Sequence, residues 1–130
     1  MNIPFQKYHH GNLRDDILKA AYSFVKENGY AAMSLRGIAD QCNVSATAIY
    51  RHYETKEHLL ADVVAKGFVE FNISVEGKEE DDIFQRSENY LAFAFDNYNI
   101  YDLIFSQSVV EFLKFPKILE VADKAFESLL

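Results

Sequence analysis

Between Ser45 and Lys56 the chain reads SATAIYRHYETK, which sets hydroxyl, phenol, guanidinium, imidazole and ammonium groups within a dozen residues. All of these groups can donate hydrogen bonds. Donors of this kind suit phosphate oxygens and the acceptor-rich edges of bases. If Ile49 turns inward on a helix, then at about 100° per residue Thr47, Tyr50 and Arg51 point away from the core. Other chemistry is missing from the pattern. There is no Ser-His-Asp order with a supporting turn and no Gly-rich phosphate loop, so no enzyme and no catalytic residue is expected. His9 and His10 have no third ligand spaced to join them, and His52 and His58 do not share a helix face, so no metal site and no cofactor is expected. Cys42 is the one cysteine. It cannot form a disulfide within the chain and reads as a small buried apolar residue.

A helix that offers donors has to be held in place by others. A first helix starts near Asn12, with Asp15 as its capping partner, and carries Leu13, Ile17, Ala20, Ala21, Phe24 and Val25 as one apolar stripe. Gly29 is expected to stop it in a left-handed conformation. Ser34 caps a second, short helix with Leu35, Ile38, Ala39 and Cys42 inward. Asn43 takes a left-handed turn, since Asn tolerates that region better than other residues with a Cβ. Ser45 then caps the third helix after only two intervening residues. Helices joined so tightly must cross steeply, which is the helix-turn-helix plan, with its second helix entering a DNA major groove. Thr55 caps a fourth helix with Leu60, Val63, Val64, Phe68 and Phe71 along one side. Helical spacing resumes from Ile83 to about Asn97, from Tyr101 to Leu113, and after Pro116. No strand or hairpin signal stands out. The closing stretch ADKAFESLL is still amphipathic at Leu130 and has no cap, so the helical fold is expected to be incomplete there.

Composition divides the chain in two. The 130 residues carry a net charge of -7, yet Met1 to Lys66 holds 8 Lys/Arg against 7 Asp/Glu, whereas Gly67 to Leu130 holds 5 against 13. All four histidines lie in the first part and nine of eleven phenylalanines in the second. Overall acidity therefore does not exclude nucleic-acid binding, for which a local donor-rich face is what counts. No apolar run is long enough for a membrane span, and no signal peptide is visible. Phe84, Tyr90, Phe93, Phe95, Tyr98, Tyr101, Phe105, Phe112 and Phe115 recur at helical spacing and are expected mainly as core. A ligand cavity would need such apolar walls with a few polar groups, for which Tyr90, Asn97, Tyr98, Tyr101 and Gln107 are candidates.

From Tyr8 to about Phe71 the sequence YHHGNLRDDILKAAYSFVKENGYAAMSLRGIADQCNVSATAIYRHYETKEHLLADVV resembles the DNA-binding domain of the tetracycline-repressor (TetR) family of bacterial transcriptional regulators. Gly29, Ser34, Ile38, Ala39, Val44, Ser45, Tyr50, His52, Tyr53, Lys56 and Leu59 match its frame, while Asn43 stands where Gly is usual. A weaker similarity, YLAFAFDNYNIYDLIF from Tyr90 to Phe105, is to the ligand domain of one subgroup. The resemblance implies that Ser34, Leu35 and Arg36 open the second helix beside the groove, with Arg36 a base or phosphate contact. It implies that Ala46 and Thr47 stand where bases are read, and that Tyr50, His52 and Lys56 hold phosphates. With Ser45 and the outward Arg51 these make up the candidate DNA-binding set. The N-terminal arm, with Lys7 and Arg14, is a further candidate to lie near phosphate. Tyr90, Phe93, Asn97, Tyr101 and Phe105 form the candidate ligand set.

The expected protein is all-α. Residues 1–54 form an N-terminal arm and helix-turn-helix DNA-binding domain, residues 55–75 a connecting fourth helix, and residues 76–130 part of a helical ligand-binding domain. The resemblance implies a ligand-responsive repressor that binds a palindromic double-stranded DNA operator through Ser45–Tyr53 and responds to a small-molecule effector of unknown identity. Family members usually dimerise through two last helices, which are expected to be absent from this chain. A bacterial cytoplasmic, nucleoid-associated location with no membrane partner follows. The competing expectation is a helix-turn-helix module that binds proteins without reading DNA.

Overall fold

The first four helices each begin on a short polar side chain that accepts a main-chain N–H three residues ahead. In the computed structural model, which describes residues 12–76 and 83–105, Asn12 Oδ1 accepts from Asp15 at 3.3 Å, Ser34 Oγ from Gly37 at 3.0 Å, Ser45 Oγ from Ala48 at 3.1 Å and Thr55 Oγ1 from His58 at 3.1 Å. Each cap satisfies a donor that a helix start leaves open, worth about 1 kcal/mol. They begin α1 (Leu13–Asn28), α2 (Leu35–Gln41), α3 (Ala46–Tyr50) and α4 (Lys56–Glu76). Two further helices follow, α5 (Ile83–Asp96) and α6 (Tyr98–Phe105). No strand occurs among the described residues, and the architecture is the expected all-α one.

The stops differ in detail from the sequence reading. Asn43 adopts the expected left-handed backbone, with φ 57°. Gly29 has positive φ but not the left-handed helical conformation: at φ 84° and ψ 160° it sits in a region that only glycine enters freely. Its N–H still closes α1 by donating to the Val25 carbonyl at 2.8 Å. α6 begins at Tyr98 rather than Tyr101. Only Asn97 interrupts α5 and α6, its N–H donating to the Phe93 carbonyl and its own carbonyl accepting from Tyr101 N–H, both at 2.8 Å. The expected extension of α6 to Leu113, the helix after Pro116, and Gln107, Phe112 and Phe115 lie outside the described residues.

The chain divides into two compact units, Met1–Val63 and Val64–Leu130. The first unit's core is built from Ile17, Ala21 and Val25 of α1, Ile38 and Ala39 of α2, Ile49 of α3, Leu59 of α4, and the intervening Met33, Cys42 and Tyr53. In the second unit, Phe68, Phe71 and Val75 of α4, Phe93 of α5 and Ile100, Leu103 and Ile104 of α6 are enclosed. A Cβ at Gly67 would stand 2.8 Å from Ile104 Cγ2 and 3.0 Å from Ile100 Cγ2, so glycine is what lets α6 approach α4 so closely. One group of expected core residues is not core: Phe84, Phe95 and Tyr98 are exposed. No helix of the described residues is long and apolar enough to cross a membrane.

Candidate nucleic-acid interface

The turn between α2 and α3 is built from main-chain bonds. Cys42 N–H donates to Ile38, Asn43 N–H to Asp40 and Val44 N–H to Ala39, at 2.9, 3.1 and 3.0 Å. The small, buried Ala39 lies where the chain folds back, and Asn43 supplies the positive φ. α3 is only five residues long, too short to persist alone. Burial fixes it from one side, since Ile49 is completely enclosed and Tyr53 nearly so. The opposite side therefore faces out: Thr47, Tyr50 and Arg51 are exposed and Ala46 is half-buried.

Ser34 and Ser45 are exposed and use an oxygen lone pair in capping, which leaves each hydroxyl proton able to donate to a phosphate. Arg36 is exposed on α2. Leu35 opens α2 with its side chain turned inward. Its side chain is 7% exposed, because an apolar residue on the inner side of the first turn of α2 joins the core, so it is no candidate for a side-chain contact. His52 is half-buried. Lys56 is also half-buried, and its Nζ donates to the Ala31 carbonyl at 3.2 Å, which ties the start of α4 to the loop between α1 and α2. An ammonium has three donors, so this bond leaves two. Among the described residues no group of three or more His, Cys, Asp or Glu side chains is placed to hold a metal ion. His9 and His10 lie outside the described residues, as does Lys7.

A polar cluster beside this face escaped the sequence reading. Asp62 is 8% exposed within α4. Its Oδ2 accepts from the Tyr53 hydroxyl at 2.6 Å and from Arg14 Nη2 at 3.1 Å. Arg14 also donates through Nη1 to the His52 carbonyl at 3.2 Å, and its guanidinium carbon lies 4.6 Å from the centre of the Tyr53 ring. Burial, then the hydrogen bond to Asp62, pushes the Tyr53 phenol well above its ordinary range. The available signal was a lone carboxylate in the apolar run LLADVVA. Arg14, expected near phosphate, makes these contacts. Cys42 is buried as expected, and burial followed by the Asp16 charge pushes its thiol from 9.0 up to about 11.

In the second unit the structure brings together four of the five candidate ligand residues. Phe71 meets Tyr90, Phe93 and Phe105 edge-on, with ring centres 5.7, 5.4 and 5.1 Å away. The hydroxyls of Tyr90 and Tyr101 lie 2.6 Å apart, a single polar point in an aromatic cluster. Burial, then that hydrogen bond, pushes Tyr90 up to about 12. Phe93 is enclosed, whereas Tyr90, Tyr101 and Phe105 are half-buried. Asn97, the fifth, is half-buried at the break between α5 and α6, where its main-chain bonds are.

Comparison with known proteins agrees with this geometry. Residues 17–63 match the family model for bacterial regulatory proteins of the tetR family. The HTH-type transcriptional repressor KstR of Rhodococcus jostii (strain RHA1) is 33% identical over 55 residues, which are 42% of this chain and 26% of that protein. KstR of Mycobacterium tuberculosis (strain ATCC 25618 / H37Rv) is 33% identical over 55 residues, 42% of this chain and 25% of its own length. The matched segment thus spans about a quarter of the length of these curated relatives. Among solved structures, a TetR family protein from Vibrio parahaemolyticus superposes with a TM-score of 0.62 at 23% identity, over 90% of this chain and 64% of that one. A tetR family structure from Shewanella sp. PV-4 gives 0.58 at 20% identity, over 88% and 62%. These two likenesses show the fold. The matched segment spans the capped α2–turn–α3 arrangement, so over residues 17–63 the chain is similar to bacterial regulatory proteins of the tetR family.

Proposed function

We propose that this protein is a DNA-binding transcriptional regulator, a ligand-responsive repressor that acts on a palindromic operator in the bacterial cytoplasm. One observation carries the reading: Thr47, Tyr50 and Arg51 stand exposed on a helix whose other side, at Ile49, is fully enclosed. A short helix with that division of faces offers its donors to a groove and little to its own core. In this reading Thr47 and Ala46 meet base edges, Thr47 through its hydroxyl or methyl and Ala46 through its methyl. Tyr50, Arg51, His52, Lys56, Ser34, Ser45 and Arg36 hold phosphates or flank them. Lys56 reaches phosphate with the donors left over from Ala31. Residues 1–54 act as the DNA-binding part, 55–75 as the connection and 76–130 as part of the effector domain. The effector site lies around Tyr90, Tyr101 and Phe105, where the paired hydroxyls offer one polar point to an otherwise apolar small molecule. Two copies bind together, since a two-fold operator mirrors a two-fold protein.

Selection of bound duplexes from a random pool tests the reading. An enriched sequence is expected, with affinity falling steeply as salt rises because counterions are released. Replacing Lys56 with Ala should weaken binding to all duplexes and lower the salt slope by about one. Thr47→Ala should instead change which sequence is preferred. Failure to enrich any sequence would favour a protein-binding module.

A further inference from the structure

The turn after α3 is where the donor-bearing face meets the start of α4. Arg14 binds the main chain of that turn. Its Nη1 donates to the His52 carbonyl while Nη2 donates to Asp62, with the guanidinium over the Tyr53 ring. Asp62 in turn accepts from Tyr53, which follows His52 directly. Three segments thus meet at one guanidinium: α1 provides it, α4 provides the carboxylate, and the turn that follows α3 provides the carbonyl and the ring. A positive group at this place also complements the negative end of the short helix. The amino end of α3 is fixed by the Ser45 cap, so Arg14 fixes the other end.

We infer that Arg14 is a positioning residue that sets the orientation of α3 for DNA, through His52, Tyr53 and Asp62, rather than a phosphate ligand. The inference rests on the DNA-binding reading above. Its chemistry requires a fork: one planar guanidinium satisfies two acceptors in fixed directions, which an ammonium on a flexible stem cannot reproduce.

The test uses Arg14→Lys, Arg14→Ala and Asp62→Asn in the full chain, with binding expressed per folded protein. Affinity for duplex is measured across a salt series, and amide hydrogen exchange is followed over Arg51–Tyr53 without DNA. Both Arg14 variants are expected to bind about tenfold more weakly with the salt slope unchanged, since a lost charge-assisted bond is worth roughly that factor. The Arg51–Tyr53 amides should exchange about tenfold faster in each, and Asp62→Asn should reproduce the pattern. Retained affinity in Arg14→Lys together with a salt slope lowered by about one in Arg14→Ala would make Arg14 a phosphate ligand and overturn the inference. Unchanged exchange in both Arg14 variants would overturn it as well. If the unaltered protein enriches no duplex, the DNA reading fails, while the exchange data still decide whether Arg14 fixes the end of α3. If Asp62→Asn does not fold, the two Arg14 variants decide.

Discussion

On α3 the exposed side carries Thr47, Tyr50 and Arg51, and Ile49 behind them is enclosed. On α5 the exposed side carries Phe84, Leu91 and Phe95, while Phe93 is enclosed. Both helices are amphipathic in the sense that one side is buried. They differ in what the other side holds. Along α3 the polar and apolar residues already sort by face, so knowing the period is enough to know which side is core. Along α5, Phe84, Leu91 and Phe95 recur at spacings of seven and four, which is one helical stripe, yet the side chain the described core uses is Phe93. Periodicity tells which residues share a face. It tells which face is covered only when the other faces are polar.

The strongest way to break this comparison is to truncate one aromatic from each side of the second unit. Phe71, enclosed by three rings, should cost about 3–5 kcal/mol when replaced by Ala, whereas Phe95→Ala, 81% exposed, should stay within about 0.5 kcal/mol. Denaturant midpoints for the two variants check this, and equal losses would abolish the distinction. The first unit, or head, has its own buried probe in Cys42. Its thiol is neutral up to about pH 11 in the folded protein but titrates near 9.0 in the unfolded chain. The stability it contributes is therefore fully present below pH 9.0 and is lost as pH rises toward about 11. The loss amounts to about 2–3 kcal/mol. Stability against pH for the unaltered protein minus that for Cys42→Ala should show this fall, and a flat difference would contradict it. A smaller effect is expected at Gly67, where Ala must push against Ile100 and Ile104. The crowding outweighs the gain in helix propensity, for a net loss of about 1–2 kcal/mol by calorimetry. The smallest is at Asn43: Gly there relieves the positive φ and should change stability by under about 0.5 kcal/mol, while Ala should cost about 1 kcal/mol.

The head was legible because its signals are local. Asn12, Ser34, Ser45 and Thr55 announce four helix starts within three residues of their partners, and Asn43 marks the turn by its own backbone tolerance. Thr47, Tyr50 and Arg51 followed from the position of Ile49 alone. What stayed hidden depends on distance in the chain. Arg14 and Asp62 are 48 positions apart, and nothing in either neighbourhood names the other. Leu35 opens α2 as the family frame implies, but its apolar side chain turns into the core. Tyr90 and Tyr101 stood out as polar residues in an aromatic segment. Their pairing through hydroxyls needed the close return of α6 on α5 after a single-residue break at Asn97.

The four caps have a consequence for the order in which the head is made. Each closes a loop of three residues, so each helix start can form on the timescale of local helix nucleation, before any tertiary partner is present. The Arg14–Asp62 pair must wait for a loop of 48 residues to close, and its ends can meet only once α1 and α4 are both in place. In kinetic terms the caps are expected to form on the ascent of the folding barrier and the guanidinium cluster on its far side. Cap variants should slow refolding, whereas loss of Arg14 should leave refolding nearly unchanged and speed unfolding, which the two arms of a chevron plot separate. That outcome would mean that the lifetime of the folded head is set from the end opposite to the one where folding begins.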